Sequence, residues 1–267
     1  MRALVPAREG IVPVITALLA ENPYGAVVLN AGQLHQAGVS VQLFSHWLQT
    51  ELPALGHFKL CWLTLNEPET AFIAPALAAG FHYHHVQDKT LTLVKRLQAD
   101  AYLPLAATHS IGVGAAVFNA LGQILLVQEI PLPGKKPGYF KLPGGMVETR
   151  EHFVAALERE VLEETGVTAT FQGWFAMRHH HQGQFGASNL YIVARLVSAQ
   201  TDVAPDYTEI AAAAWFDPQQ FLLDPKAHPY NKLLVQAALD CPLWQARDLP
   251  EYQAGPLGFE LFQACKK

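Results

Sequence analysis

Between Tyr24 and Leu103 short apolar runs alternate with segments in which apolar residues return every three or four positions. The runs at Ala26–Leu29, Val39–Leu43, Lys59–Leu65 and Leu91–Val94 predict strands, and Phe44–Leu55 and Thr70–Ala79 predict amphipathic helices. Such alternation predicts a small layered α/β unit. Between Asp100 and Ser110 the pattern lapses into a polar stretch with Pro104, and a new apolar run starts at Ile111. A boundary near Leu105 follows, with one domain over 1–105 and a second over 106–267.

In the second domain the apolar runs predict strands at Ile111–Phe118, Gln123–Glu129, Ala169–Arg178, Asn189–Val197 and Trp215–Phe216, with helices at Thr149–Thr165 and Tyr230–Leu239. A Pro/Gly/Lys loop, Pro131–Gly138, and the sequence KLPGG precede the first of these helices. Thr149 reads as its N-cap, Glu151 lies in the expected first turn facing the positive end of the helix dipole, and Gly166 ends it. After Cys241 no pattern predicts an element.

The helix carries chemistry. At 100° per residue Glu160, Glu163 and Glu164 fall within about a 100° arc, and Val154, Leu157 and Val161 form an adjoining apolar stripe that anchors the helix on a sheet. Carboxylates crowded in this way raise one another's pKa or are neutralised by a hard cation. Magnesium suits the second outcome, because it takes oxygen ligands from a few carboxylates together with substrate phosphates. Gly144 and Gly145 let the backbone approach closely, and a free carbonyl there would add an oxygen ligand.

Gly145, five residues, Glu151, seven residues and then R-E-V-x-E-E-x-G-V over Arg159–Val167 resembles the nudix box at every specified position. The preceding QILLVQE and KLPGG and the later E-I-x-x-x-x-W-F, Glu209–Phe216, are similar to the same family, so the resemblance spans roughly Ser110 to Tyr230. It implies an α/β/α sandwich with a mixed sheet and hydrolysis of a nucleoside diphosphate linked to another group, with Mg²⁺ or Mn²⁺ as cofactor. It assigns the Gly144 carbonyl, Glu160, Glu163 and Glu164 to the metal, and Gly145, Glu151 and Gly166 to the framework of the box. Arg159 then orients Glu160 or pairs with Glu151, the alternative being an ordinary solvated helix arginine. The general base is a box glutamate, matching Glu160, or an acid from a later loop, Glu209 first and Asp202 and Asp206 behind it. Glu209 reads equally as a surface acid at a strand end. Lys141, Arg178 and Phe185 flank the box and are candidates to contact phosphate or stack on a base, each with a purely structural alternative.

Phe72–Leu97 followed by Thr108–Phe118 resembles the nudix hydrolase 6-like group, which includes an animal protein encoded antisense to a fibroblast growth factor and plant ADP-ribose/NADH pyrophosphatases. That resemblance implies an acetyltransferase-like α/β domain ahead of the catalytic one, contributing to a homodimer. No Q/R-x-x-G-x-G/A loop is present, so acetyl transfer is not expected. It favours NADH or ADP-ribose as substrate, with AMP released. Hydrolysis of nucleoside triphosphates or coenzyme A, and a non-catalytic ligand sensor, are the alternatives. The tags that mark NADH pyrophosphatases, one ADP-ribose group, diadenosine polyphosphate enzymes and coenzyme A enzymes are all absent.

Composition narrows the rest. Lys plus Arg number 18 against 23 Asp plus Glu, a net charge of −5, which argues against a nucleic-acid partner. The three cysteines, Cys61, Cys241 and Cys265, are far apart and suit a reducing compartment, so a cytoplasmic location is expected. Ile11–Ala20 is too short to span a bilayer, and Glu9 and Pro13 are poor features for a leader. His179, His180 and His181 would alternate along a strand, so one metal could not easily collect all three. A polar strand end or a substrate contact is expected there, and a half-buried or interfacial place for His82, His84 and His85. Lys135 and Lys136 read as an exposed basic loop, with attraction of an anionic substrate as the alternative.

Overall fold

The computed structural model describes residues 12–181, 186–252 and 254–264. Contacts divide the chain between Ala107 and Thr108 into two compact units.

The first unit contains α1 (Val12–Ala17), β1 (Ala20–Glu21), β2 (Ala26–Asn30), α2 (Ala31–Gln36), α3 (Val41–Thr50), β3 (Leu60–Leu65), α4 (Ile73–Ala78), β4 (His82–Gln87) and β5 (Thr90–Arg96). Its strands form one sheet in the order β1-β2-β3-β5-β4, with β2 and β3 parallel. Val27, Leu29, Cys61, Leu63 and Leu93 point to the face on which Phe44, Trp47 and Phe72 pack. Burial pushes the Cys61 thiol up to about 12, with nearby Lys95 opposing the shift, so it behaves as a small apolar side chain.

The expected strand at Val39–Leu43 is not formed. Ser40 there is the N-cap of α3, its Oγ accepting the Leu43 N–H at 3.2 Å, and the helix buries Phe44, Trp47 and Leu48 at helical spacing. A two-valine run resembled a strand, but the cap and the four-residue apolar spacing prevail. The expected helix at Phe44–Leu55 ends at Thr50 and continues as a 3₁₀ turn over Leu52–Leu55, where Pro53 cannot donate. Likewise Thr70–Ala79 is divided between a 3₁₀ segment, Glu67–Phe72, and α4.

The second unit contains β6 (His109–Phe118), β7 (Ile124–Glu129), α5 (Phe153–Thr165), β8 (Thr170–His180), β9 (Ser188–Val197), β10 (Ile210–Phe216), α6 (Pro218–Leu223), α7 (Pro229–Asp240), β11 (Trp244–Ala246) and β12 (Phe262–Ala264). The strands form a mixed seven-stranded sheet, β10-β7-β6-β9-β8-β11-β12, in which β6 and β9 are parallel. Alternate strand residues serve opposite faces. Val113, Ala115 and Val117 pack on Ala156, Leu157 and Val161 of α5, whereas Ala116, Ile124 and Leu126 pack on Leu234, Val235 and Ala238 of α7. The unit is therefore an α/β/α sandwich. Among the described residues no helix is long and apolar enough to cross a membrane.

Two expectations near α5 are corrected. Thr149 is not the N-cap: α5 starts at Phe153 after His152, and Glu151 lies before the helix rather than in its first turn. The tail after Cys241 is not without structure, since β11 and β12 extend the sheet beyond β8. The tail also supplies the cap of α5. Glu260 accepts the Phe153 and Val154 N–H groups at 2.6 and 3.1 Å, leaving no need for a local cap.

Candidate active site

The segment before α5 is laid against the sheet by its backbone. Lys141 exchanges two 2.9 Å bonds with Val127, and the carbonyls of Pro143 and Gly145 accept the Ala115 and Val113 N–H groups at 2.9 and 2.8 Å. The Gly144 carbonyl between them accepts no hydrogen bond among the described residues. Two glycines are required by this crossing. A Cβ on Gly144, whose φ is +144°, would lie 2.1 Å from the Val113 carbonyl oxygen, and one on Gly145 would lie 2.5 Å from the Glu160 carboxylate.

Arg159 organises the acids. Its Nε and one terminal nitrogen hold Glu151 in a fork at 2.8 and 3.0 Å, and the other reaches Glu160 at 3.0 Å and Glu163 at 2.9 Å. A further bond of 3.1 Å goes to the Met146 carbonyl. Arg159 thus contacts both Glu151 and Glu160, and its side chain is 25% exposed. The Arg159 hydrogen bonds, with help from the Glu148 N–H, hold the Glu151 carboxyl below its ordinary range.

Glu160 and Glu164 are different. Burial pushes Glu160 up against the opposing pull of Arg159, and burial pushes Glu164 up to about 7 although the Gly144 N–H donates to it at 2.8 Å. Glu163 is 59% exposed. Oε2 of Glu160 and Oε1 of Glu164 have no hydrogen-bond partner among the described residues. Among those residues no three His, Cys, Asp or Glu side chains converge as a ready cage, and Arg159 itself stands between Glu160 and Glu163. A buried carboxylate, Glu164, and a half-buried one, Glu160, both of raised proton affinity and with free oxygens and a free carbonyl nearby, fit a hard cation that completes its shell with water and phosphate.

Gly144 also borders a cleft of about 440 Å³, in which Lys141 and Arg178 meet. Lys141 pairs with Glu129, while the Arg178 guanidinium lies between the rings of Tyr191 and Tyr230, 5.4 and 5.3 Å from their centroids. Burial raises the Tyr191 hydroxyl pKa, and the buried Tyr230 hydroxyl oxygen has no hydrogen-bond partner among the described residues.

Family models match both units. The NUDIX domain matches residues 108–237, and the Nudix hydrolase domain matches residues 19–97. Nudix hydrolase 2 of Arabidopsis thaliana is 32% identical over 194 residues, covering 72% of this chain and 70% of that protein. The chain belongs to the nudix hydrolase family. Nudix hydrolase 8 of the same plant is 30% identical over 209 residues, and mouse nucleoside diphosphate-linked moiety X motif 6 is 35% identical over 160. These matches cover 77% and 58% of the chain, and 56% and 50% of the two relatives, so the chain spans little more than half their length.

In this nudix hydrolase the structure brings together Gly144, Gly145, Glu151, Arg159, Glu160 and Glu163 around α5, and links Glu164 to them through Gly144. Gly166 ends α5 with φ +68°. Glu209 stands apart: exposed before β10, it bonds Ile130 through its carbonyl and does not line the cleft. Phe185 lies outside the described residues. Tyr139, Tyr191, His228 and Tyr230 were not anticipated, because they reach the cleft from β9, α7 and a loop. The strand register sets Tyr191 opposite Arg178.

Among the described residues His109, His179 and His181 gather as a pair and a third ring. His109 and His179 stack with centroids 5.0 Å apart and Nε2 atoms 2.9 Å apart, and His181 packs edge-on against His179. Burial, followed by the neighbouring His181 and His109, lowers the His179 pKa.

Proposed function

We propose that the second unit hydrolyses the pyrophosphate bond of a nucleoside diphosphate derivative with magnesium, manganese being the ion expected to substitute. NADH and ADP-ribose are the expected substrates and AMP the expected product. One observation carries this reading: Gly144 belongs both to the acidic site, where its N–H holds Glu164, and to the wall of the cleft containing Arg178. Carboxylates for a cation and a cationic group for a diphosphate are therefore neighbours. The name of the mouse relative, nucleoside diphosphate-linked moiety X motif 6, supports the same class.

Glu160, Glu163, Glu164 and the Gly144 carbonyl would hold the metal. When bound, it supplies charge neutralisation at the phosphoryl oxygens and lowers the pKa of water. The protein's own groups do the rest. Arg159, anchored by Glu151, fixes Glu160, and Glu160 takes the proton of the attacking water. Oxygen from that water bonds to one phosphorus, the bridging P–O bond breaks, and the bridge oxygen leaves with the other phosphate. Glu209, exposed and outside the cleft lining, is the second candidate base. Lys141 and Arg178 position the diphosphate.

We further propose a homodimer through the first unit, where a cavity of about 890 Å³ is bordered by the strongly exposed Tyr24 and Tyr102. Sedimentation of the protein and of a Tyr24→Ser, Tyr102→Ser variant tests it. The three cysteines make the cytoplasm the expected compartment.

Incubation of purified protein with magnesium and a nucleotide panel tests the activity. AMP from NADH or ADP-ribose, abolished by a chelator, is the expected result. Turnover confined to nucleoside triphosphates replaces the substrate assignment, and tight binding without turnover makes the protein a sensor.

A further inference from the structure

The cleft beside Gly144 does not end at Arg178. Its outer wall is formed by Tyr139 and His228, whose rings lie 5.0 Å apart at a 54° tilt. The same two side chains border a second cavity of about 500 Å³, lined also by Lys226 and Lys232. Tyr139 and His228 therefore stand between two compartments, each within the size range of a small-ligand site.

Charge is distributed unequally between them. In the inner compartment Lys141 is neutralised by Glu129, and Arg178 is the cation without a carboxylate partner. Beside its contacts with the Tyr191 and Tyr230 rings, Arg178 reaches the Asn189 amide oxygen at 3.4 Å and pairs with no carboxylate among the described residues. The outer compartment has two lysines and no acid in its lining. Neither lysine ammonium has a hydrogen-bond or ion-pair partner among the described residues, and the one acid beside them in sequence, Asp224, accepts the Lys226 backbone N–H at 2.8 Å. Two anion-attracting centres thus flank an aromatic pair. A diphosphate bound at Arg178 would leave the outer one open.

We propose that the outer compartment receives a phosphate monoester carried on the ribose of the substrate, with Tyr139 and His228 stacking on the base between the two anionic centres. This rests on the reading of the inner cleft as the diphosphate site. The ligand is then an adenosine diphosphate derivative with a third phosphate on the 2′ or 3′ ribose oxygen. Opposite charge attracts that phosphate, and the aromatic pair supplies the stacking surface that either derivative needs. Lys226 and Lys232 determine specificity and take no part in bond breaking.

The test is a comparison of kcat/KM in magnesium for three pairs: NADPH and NADH, 2′-phospho-ADP-ribose and ADP-ribose, coenzyme A and its 3′-dephospho form. A charge-assisted contact predicts a preference of about tenfold or more for the phosphorylated member, expressed in KM, in the 2′ pairs or in the 3′ pair. K226A/K232A should bring that ratio to about one, and K226R/K232R should keep it. Equal values within every pair overturn the inference while leaving the inner site in place, as does a preference that survives K226A/K232A. Failure to turn over any of the six compounds overturns the inference together with the reading on which it rests.

Discussion

Glu260 caps α5 from more than a hundred positions away in sequence, its carboxylate accepting the Phe153 N–H at 2.6 Å and the Val154 N–H at 3.1 Å. His152, the residue at the N-cap position, makes no side-chain cap of its own, but its Nδ1 lies 3.6 Å from the same carboxylate. The helix that bears the acidic cluster is therefore terminated by the tail. Glu260→Ala is expected to cost about 1–2 kcal/mol, the range of a lost N-cap, with Glu260→Gln losing less. Urea unfolding checks this; an unchanged midpoint in Glu260→Ala would show that the tail carries no stability.

Gly144 and Gly145 are adjacent, but their replacement should fail in different ways. Gly144→Ala drives a Cβ into the Val113 carbonyl at a φ that side chains rarely adopt, so loss of folded protein is expected. Gly145→Ala meets only the end of the flexible Glu160 side chain. That variant should fold with nearly parental stability and lose turnover on the order of a hundredfold, as a displaced catalytic group does. Circular dichroism and kcat, measured on both, separate the two outcomes.

Arg159 holds three acids and a carbonyl at once, so charge alone does not replace it. Arg159→Lys cannot reproduce the fork on Glu151 and should recover little of what Arg159→Ala loses. For the partly exposed network that loss is about 2 kcal/mol, between the values for surface and buried pairs. Chemical denaturation of both variants, together with kcat, is the check. Full stability in Arg159→Lys would reduce the network to simple charge balance.

Burial raises the Glu164 carboxyl to about 7 in the metal-free protein, above its ordinary value of 4.5. Between those values the folded state binds more protons than the unfolded state, so stability falls as pH rises through that window. With a chelator present, the parent should lose melting temperature relative to Glu164→Gln as pH goes from 5 to 8. Addition of magnesium at pH 8 should restore the parent, because the metal binds the ionised carboxylate that burial disfavours. Parallel pH profiles of parent and variant would remove this role from Glu164. In the same protein Glu164→Gln is expected to lower turnover far more than substrate affinity.

What the sequence by itself determined is what depends on neighbours in the chain. The i, i+3 and i+4 spacing puts Glu160, Glu163 and Glu164 near one face of a helix whose apolar stripe, Leu157 and Val161, is buried, and Gly166 ends it with a positive φ. Paired glycines before the helix also signalled a close crossing. Those features follow from backbone geometry within a few residues. Only the tertiary structure decided which acids are buried, which partner caps α5, and what surrounds Arg178. Desolvation separates Glu164 from the exposed Glu163 through packing on the sheet, Glu260 arrives from the tail, and Tyr191 and Tyr230 arrive from β9 and α7. The misread strand at Val39–Leu43 belongs to the same class, since the burial of Phe44 and Trp47 favours the helix that Ser40 caps. Burial and long-range hydrogen bonds depend on the approach of distant segments, which no local periodicity encodes.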